Sequence, residues 1–265
     1  MPFFRTGDAS LFYLDQGEGH PFVCLHGLGG SHAQPLTLWD DLAGIRLISM
    51  DFRGHGQSTV KDRHAFSMQE LTKDVIHLIE YLGLTDFSLS GISLGAAITL
   101  KVALKQVPGL QRLILVRPAW INERSPTNLD PLLTIADMIE IFGLDQGIER
   151  WRESEPHHRA ESHSQGLADS LLGQFRRQQA GGNPIVFPRL IHDRPFDQID
   201  VLHQIEQSTL ILTSKDDPLH PLEHGRLIAG TMHNTELHEF PSKYRDPEYF
   251  QKLARETASQ FLSLG

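Results

Sequence analysis

The chain alternates between short apolar segments and segments in which apolar residues recur at helical spacing. Apolar runs of strand length predict buried strands at residues 11–17, 21–27, 45–51, 86–91, 110–118, 208–214 and 235–240. Helical spacing predicts helices at residues 69–83, 93–109, 222–230 and 246–262. Buried strands that alternate with helices predict an α/β fold, in which a parallel sheet carries helices on both faces.

This rhythm stops in the middle of the chain. Residues 119–195 contain helical patterns, such as LDPLLTIADMIEIFG and GLADSLLGQFRRQQAGG, and no convincing strand. We therefore predict a core built from residues 1–118 and 196–265, with residues 119–195 inserted as a helical unit.

The composition is that of an ordinary globular protein, with 40% hydrophobic and 22% charged residues. The net charge of −9 argues against a nucleic-acid partner, because phosphate binding requires clustered lysine and arginine. No apolar run reaches the roughly 18–20 residues of a membrane-spanning helix, and the first residues lack the features of a signal peptide. Cys24 is the one cysteine, so no internal disulfide can form. We expect a cytoplasmic protein with no membrane partner, and the sequence leaves its oligomeric state open.

The strongest motif is SGISLGAA, in which residues 91–95 fit the pattern G-x-S-x-G around Ser93. The motif follows a predicted strand and opens a predicted helix, as the sharp turn that presents a nucleophilic serine requires. A helix N-terminus at this point also directs backbone N–H groups and a partial positive charge toward the serine. The sequence thus predicts Ser93 as a nucleophile.

A second glycine-rich segment, LHGLGGS at residues 25–31, follows an earlier predicted strand. A turn there lets backbone amides face the end of the sheet where Ser93 is expected. We predict that the N–H groups of Leu28 and Leu94 form an oxyanion hole, because charge that develops during acyl transfer needs fixed donors.

Four segments, HGLGG, DFRGHGQS, GISLGAA and ILTSKDDPLHP, resemble the α/β-hydrolase family in their order and spacing. The resemblance covers nearly the whole chain except the helical insertion. It implies an eight-stranded, mostly parallel sheet, a lid over the site, and acyl transfer to water through a serine, an acid and a histidine. We expect no cofactor and no metal.

The acid of this family follows a late strand, here residues 208–214, within SKDDPLHP. The family pattern places a glycine before the acid and a proline four residues after it. Asp217 fits this spacing to Pro221, and Asp216 is the alternative. Ser214 stands where the glycine is usual.

The base that the family pattern requires is missing. Family members carry Gly-His shortly after the last strand, but residues 235–240 are followed here by PSKYR and then by the final helix. The last of the 15 histidines is His238, inside that strand.

His220 is the replacement that we predict, because it lies three residues past Asp217 at the same end of the sheet. The adjoining prolines raise an obstacle. Pro218 and Pro221 favour extended backbone at Asp217 and His220, and two extended residues on one short loop need not both reach Ser93.

Other bases remain open. Lys243 lies in the shortened loop itself, but a neighbouring Asp217 would hold it protonated. His238 lies within a strand, where packing explains it better. The insertion also offers His157, His158 and His163, whose spacing includes no i, i+4 pair of the kind that binds a metal.

These residues predict a serine hydrolase of a small ester, lactone or thioester, with a small-molecule substrate. A catalytically impaired scaffold that binds a small ligand or partner is the alternative, and an isomerase or lyase that uses the oxyanion hole is a third. Arg117, at the end of a predicted strand, could bind an anionic substrate, because ligands of open α/β sheets bind at that edge. It could equally pair with a carboxylate of the insertion.

Overall fold

The structure of the chain, a computed structural model, describes residues 3–62, 65–179 and 184–263. Its strands are β1 Phe3–Thr6, β2 Ala9–Gly17, β3 His20–Leu25, β4 Ile45–Met50, β5 Thr59–Val60, β6 Phe87–Ile92, β7 Leu110–Val116, β8 Ser208–Ser214 and β9 Thr235–Phe240. Its helices are α1 Ala33–Trp39, α2 Met68–Tyr81, α3 Leu94–Ala103, α4 Asp130–Arg152, α5 Glu155–His163, α6 Gln165–Gln179, α7 Val186–Ile191, α8 Leu222–Thr231 and α9 Pro247–Ser263. Two 3₁₀ turns cover Thr127–Leu129 and Ile199–Gln204.

Eight strands form one continuous sheet in the order β1-β2-β4-β3-β6-β7-β8-β9, and the two-residue β5 pairs with β2 at the edge. The pairs of β2 with β1, β4 and β5 are antiparallel, and all pairs from β4 to β9 are parallel. The predicted α/β fold with a mostly parallel eight-stranded sheet is confirmed. The helix α1 and the short strands β1 and β5 were not predicted, because each is too short to show a clear period.

Alternate residues of the central strands pack on opposite faces of the sheet, as the two-residue period of a strand requires. In β3, Val23 and Leu25 join the apolar cluster that includes α2 and α3, while Phe22 and Cys24 join the cluster that includes α1 and α9. Apolar side chains therefore cover both faces of the central sheet, and polar sites can form only at the ends of its strands.

The turn between β6 and α3 places Ser93 under backbone strain. Ser93 has φ 56° and ψ −107°, a conformation that non-glycine residues rarely adopt. Two glycines permit it: a Cβ on Gly91 would lie 2.1 Å from the Gly95 carbonyl carbon, and one on Gly95 would lie 2.5 Å from the Leu25 carbonyl oxygen. The strand, the turn and the helix can approach so closely only without these side chains.

The helices α4 to α7 occupy the middle of the chain, within the segment predicted as an insertion. The longest of them, α4, bends at Gly143, whose φ of 74° is not helical. Apolar side chains of these helices, including Leu132, Leu171 and Phe187, belong to the same buried cluster as the sheet. The helices thus rest against the core. Throughout the described ranges, no helix has the length and apolarity needed to cross a bilayer.

Replacement of Gly95 by alanine should destabilise the fold. The three atoms nearest to the new Cβ would be backbone atoms of Leu25 and His26, which cannot rotate away. We expect a loss of about 1–3 kcal/mol in the free energy of unfolding, typical of an overpacked core. Denaturant unfolding at unchanged m-value measures it.

Gly230→Ala is the matched control for this prediction. Gly230 lies in α8, and a Cβ there has no atom within 4 Å. This substitution should stabilise the protein slightly, by up to about 1 kcal/mol, because alanine favours helix. A Gly95→Ala protein as stable as the parent would contradict the tight approach of β3, β6 and α3.

Candidate active site

The carboxyl ends of four neighbouring parallel strands deliver the polar residues to one place. Ser93 follows β6, Arg117 follows β7, and Asp217 and His220 lie in the loop after β8. The loop after β9 adds Lys243. This edge of an open α/β sheet is where ligands of such folds bind.

His220 lies between Asp217 and Ser93. Its Nε2 is 3.0 Å from Ser93 Oγ, and its Nδ1 is 2.9 Å from Asp217 Oδ1. Within the described residues, no other side chain hydrogen-bonds to Ser93 Oγ. All three side chains are buried, with 6–9% of each residue exposed. The structure therefore brings together the three residues that the sequence predicted as nucleophile, acid and base.

A tight turn explains how one short loop supplies two of these side chains. The His220 N–H donates to the Asp217 carbonyl oxygen at 3.1 Å, which closes a β-turn with Pro218 at its second position. Proline favours that position because its φ is already set. The backbone thus reverses between Asp217 and His220, and the obstacle expected from two extended residues does not arise.

Two residues of the insertion hydrogen-bond to the loop that contains this turn. The Asn128 side-chain amide donates to the carbonyl oxygens of Leu219, at 2.8 Å, and Ala119, at 3.1 Å. On the other side, His163 Nε2 is 2.9 Å from the Asp216 carbonyl oxygen. The position of the loop that carries Asp217 and His220 therefore depends on the packing of the inserted helices.

Arg117 contacts both Asp217 and His220. Its Nε donates to Asp217 Oδ2 at 2.7 Å, and its Nη2 lies 3.3 Å from Tyr244 Oη and 2.7 Å from His220 Nδ1. Arg117 has φ 50°, so this position is also strained. Of the two roles open in the sequence, the pairing with a carboxylate is the one found, but the carboxylate belongs to Asp217 and not to the insertion.

Two tautomers of His220 are possible, and its two neighbours, Asp217 and Arg117, favour different ones. If Nδ1 carries the proton, it donates to Asp217, and Nε2 is free to accept the Ser93 proton. If Arg117 donates to Nδ1, the imidazole proton lies on Nε2 and the ring cannot accept from Ser93. The ionised Asp217 carboxylate stabilises the first form and the Arg117 guanidinium stabilises the second.

Electrostatics hold Asp217 ionised and His220 neutral. Burial alone would disfavour the charge on Asp217, but the Arg117 charge and the interactions with His220 outweigh it and keep the pKa of Asp217 well below its ordinary value. For His220, burial and then the charge of Arg117 lower the pKa to about 4. An imidazole in this state is ready to accept a proton at neutral pH.

The backbone N–H groups of Leu28 and Leu94 have no internal acceptor among residues 3–62, 65–179 and 184–263. The N–H groups just before them are occupied, since the Gly27 N–H donates to Gln34 Oε1 at 2.7 Å and the Ser93 N–H donates to the Val116 carbonyl oxygen at 2.9 Å. Leu94 is the first residue of α3, where N–H groups lack partners within the helix.

The other candidate bases lie elsewhere, except Lys243. His238 pairs with Glu236 at 2.5 Å, and His157 packs beside Trp151. Lys243 lines the cavity that contains Ser93. The Lys243 N–H donates to Ser214 Oγ at 2.9 Å, so the serine that replaces the usual glycine fixes the shortened loop.

The cavity at Ser93 has a volume of about 130 Å³ and is lined by His220, Leu28, Arg117 and Lys243 from the core, and by Gln174 and Arg177 from α6. A larger cavity, of about 570 Å³, lies between the inserted helices and the turn and shares Leu219 with the first. Size alone would favour the larger one, but Ser93 and His220 line only the smaller. Asp217 lies behind His220 and lines a separate surface cavity of about 460 Å³. No cluster of potential metal ligands exists in the part of the chain that the structure describes.

Sequence reasoning missed Gln174, Arg177 and Tyr244 as lining residues of this cavity. Tyr244 is almost fully buried, and its backbone carbonyl is so close to Gly166 of α6 that a Cβ there would lie 2.2 Å away. The spacing of α6 indicated a helix but not which of its faces meets the site. Only the Gly-containing start of α6 hinted at a close approach.

Comparisons with known proteins agree with the fold. A family model described as the alpha/beta hydrolase fold matches residues 20–246. A 2-hydroxymuconate semialdehyde hydrolase of Pseudomonas putida is 22% identical, over 91% of this chain and 86% of its own length. A poly(3-hydroxyalkanoate) depolymerase of Ectopseudomonas oleovorans is 25% identical, over 84% of this chain and 77% of its own. The structure of an esterase from Exiguobacterium antarcticum superposes with a TM-score of 0.76 at 21% identity, covering 98% of this chain and 99% of that one.

The imidazole of His220 should titrate near pH 4, well below the ordinary range of histidine, because burial and Arg117 oppose its charge. The neutral form is the base, so proton-accepting capacity is complete above about pH 5 and is lost as the pH falls through the pKa. NMR of ring-labelled histidine measures the midpoint, and the signal is assigned by its loss in His220→Gln.

Arg117→Gln should raise that midpoint, since the burial remains but the neighbouring charge is gone. A His220 midpoint between pH 6 and 7 in the parent, unmoved by Arg117→Gln, would show that Arg117 does not control this ring.

Proposed function

The chain belongs to the α/β-hydrolase family, and we propose that it is a serine hydrolase that cleaves a small ester, lactone or thioester through an acyl-enzyme on Ser93. One observation carries the proposal: the unbroken path from Asp217 through His220 to Ser93, with contacts of 2.9 and 3.0 Å. A nucleophile, a base within hydrogen-bond reach and a group that orients the base are the parts that this chemistry needs.

In the first half of the reaction, Ser93 Oγ attacks the substrate carbonyl carbon while His220 Nε2 takes the hydroxyl proton. The carbonyl oxygen gains negative charge, which the N–H groups of Leu28 and Leu94 stabilise. The tetrahedral intermediate then collapses, the bond to the leaving group breaks, and His220 returns the proton to the leaving oxygen or sulfur. The acyl group remains on Ser93.

In the second half, a water molecule gives its proton to His220 and attacks the acyl carbon. The bond to Ser93 Oγ breaks, the serine recovers its proton from His220, and a carboxylic acid leaves. Asp217 stays ionised throughout, because its low pKa prevents it from taking the proton. Its role is to hold Nδ1 protonated and to stabilise the transient imidazolium.

The relatives support the reaction class and leave the substrate open. Their names give hydrolases of different bonds, among them a semialdehyde hydrolase, a polyester depolymerase and a succinate-derivative hydrolase of Acinetobacter baylyi. Acyl transfer to a serine is a reaction that hydrolases of different bonds can share. The small cavity at Ser93 supports a small substrate.

A second candidate function, a binding scaffold with impaired catalysis, has one observation in its favour. Arg117 Nη2 is nearer to His220 Nδ1, at 2.7 Å, than Asp217 Oδ1 is, at 2.9 Å. If the guanidinium held that nitrogen unprotonated, His220 would donate to Ser93 instead of accepting from it. The fold and the cavity would remain, but Ser93 would not be activated.

A fluorophosphonate probe, which reacts with activated serines, should label Ser93, and Ser93→Ala should abolish the labelling. His220→Gln should slow it by about 10²-fold or more, the effect typical of a lost general base. Gel fluorescence and mass spectrometry of the labelled peptide measure the rate and the site.

The same experiment separates the two functions. Labelling that persists in Ser93→Ala would overturn the proposed nucleophile. Slow labelling of the parent that Arg117→Gln accelerates would favour the scaffold, since removal of the guanidinium leaves Asp217 to select the active tautomer.

Asp217→Asn should lower kcat on a small ester such as 4-nitrophenyl acetate by up to about 10⁴-fold, because an amide no longer holds Nδ1 protonated. Asp216→Asn is the matched control. Asp216 is exposed and has φ 51°, a conformation that asparagine tolerates, so its rate should stay within about threefold of the parent. A larger loss at Asp216 than at Asp217 would reverse the assignment.

A further inference from the structure

The cavity that contains Ser93 carries a surplus of positive charge. Arg117, Arg177 and Lys243 line it, and none of its lining residues in the described ranges is an aspartate or a glutamate. The carboxylate of Asp217, behind His220, is already bound by Arg117 Nε at 2.7 Å and by His220 at 2.9 Å. Arg117 is thereby ion-paired, whereas Arg177 and Lys243 form no ion pair within the described residues.

Lys243 forms no close ion pair with a carboxylate within the described residues, although the charge of Asp217 acts on it from a distance. Its Nζ lies 5.1 Å from the centre of the Tyr244 ring, a cation–π contact. Its residue is half-buried, and it lines both the Ser93 cavity and a smaller neighbouring one of about 70 Å³. Burial, and next the charge of Arg117, lower the pKa of Lys243 to about 7. An unpaired ammonium at this depth is costly, and an anion beside it would remove that cost.

Arg177 reaches the same cavity from α6 of the insertion, although part of its side chain is exposed. Its described partners are neutral and distant: Gln174 Oε1 at 3.3 Å and the Ser170 carbonyl oxygen at 3.4 Å. A guanidinium that is held only by long neutral contacts keeps most of its donor capacity for a ligand. One free cation thus comes from the core and one from the insertion.

We propose that the substrate of this hydrolase carries a carboxylate, which binds between Lys243 of the core and Arg177 of the insertion while Ser93 attacks its ester, lactone or thioester carbonyl. The inference rests on the proposed function and names its substrate class. A carboxylate offers two acceptor oxygens, one for the ammonium and one for the planar guanidinium. The binding would also tie the inserted helix α6 to the core.

The size of the cavity limits the acidic part of the substrate. At about 130 Å³, it is smaller than the roughly 300–1,000 Å³ of most small-molecule pockets. We therefore expect a short acid, in which a few carbon atoms separate the carboxylate from the carbonyl that reacts. Glutarate, a five-carbon dianion, is a probe of suitable length.

Binding tests the anion site apart from catalysis. Calorimetry on Ser93→Ala protein at about pH 6, where Lys243 is protonated, compares glutarate with its neutral isostere glutaramide and with inorganic phosphate. Glutarate should bind at least about tenfold tighter than either. Arg177→Met and Lys243→Met should each weaken glutarate at least about tenfold, the scale of a lost charge-assisted hydrogen bond.

Two substitutions of exposed cations serve as matched controls. The controls are Arg176→Met, beside Arg177 on α6, and Lys215→Met, after β8. Both residues are exposed, and neither lines the Ser93 cavity. Each should leave glutarate affinity within about twofold. Equal affinity for glutarate and glutaramide would overturn the proposal, and tighter binding of phosphate would overturn the assignment to a carboxylate. Losses in the controls as large as those at Arg177 and Lys243 would reduce the effect to general charge.

Hydrolysis then joins the anion site to the reaction. The specificity constant kcat/KM of monomethyl glutarate should exceed that of methyl 5-methylhexanoate, its neutral isostere, by at least about tenfold. Arg177→Met and Lys243→Met should each cut this ratio at least about tenfold, and the two control substitutions should preserve it. Methanol release measures both esters.

The outcomes separate the two levels of inference. If the probe labels Ser93 and both esters are cleaved equally well, the carboxylate proposal fails and the hydrolase stands. If glutarate binding depends on Arg177 and Lys243 but Ser93 is neither labelled nor needed for any cleavage, the proposed hydrolase fails and the anion site stands as that of a binding protein.

Discussion

The hydrogen bond from the His220 N–H to the Asp217 carbonyl oxygen is the contact on which the candidate site depends. It closes a four-residue turn that places an acid and a base side by side, although both come from one loop. Acids and bases of serine hydrolases usually come from separate loops, whose positions vary independently. Here a single backbone contact fixes their relative position, and the inserted helices only need to hold that turn against the sheet.

The position of the base changes what the neighbouring loop can do. Since His220 reaches Ser93 from the loop after β8, the loop after β9 is free to be short and to present Lys243. Of the five described non-glycine residues with positive φ, three follow adjacent strands at this edge of the sheet: Ser93, Arg117 and Asp216. Strained backbone of this kind is often found at functional sites.

The sequence predicted those features that arise from local patterns. The parallel sheet follows from strand-like and helical periods, and the turn at Ser93 follows from Gly91 and Gly95, whose missing side chains are a steric requirement. The sequence suggested the pairing of His220 with Asp217 but did not determine it. A proline restricts the backbone of single residues and does not by itself specify a turn. The sequence could not predict that Arg177 and Tyr244 line the Ser93 cavity, since this depends on how the insertion packs on the core.

Arg117 has opposite effects on the two tautomers of His220, and its charge also lowers the pKa values of His220 and Lys243. Its charge keeps Asp217 ionised, which favours the active tautomer of His220, while its Nη2 competes for the same imidazole nitrogen. The charge also helps to lower the pKa of His220 to about 4 and that of Lys243 to about 7, after burial in both cases. Between these values the base is neutral while Lys243 is still a cation. A proton acceptor and the ammonium proposed to bind an anion therefore coexist in one small cavity only in mildly acidic to neutral solution. Burial, and second the charge of Arg117, set both limits.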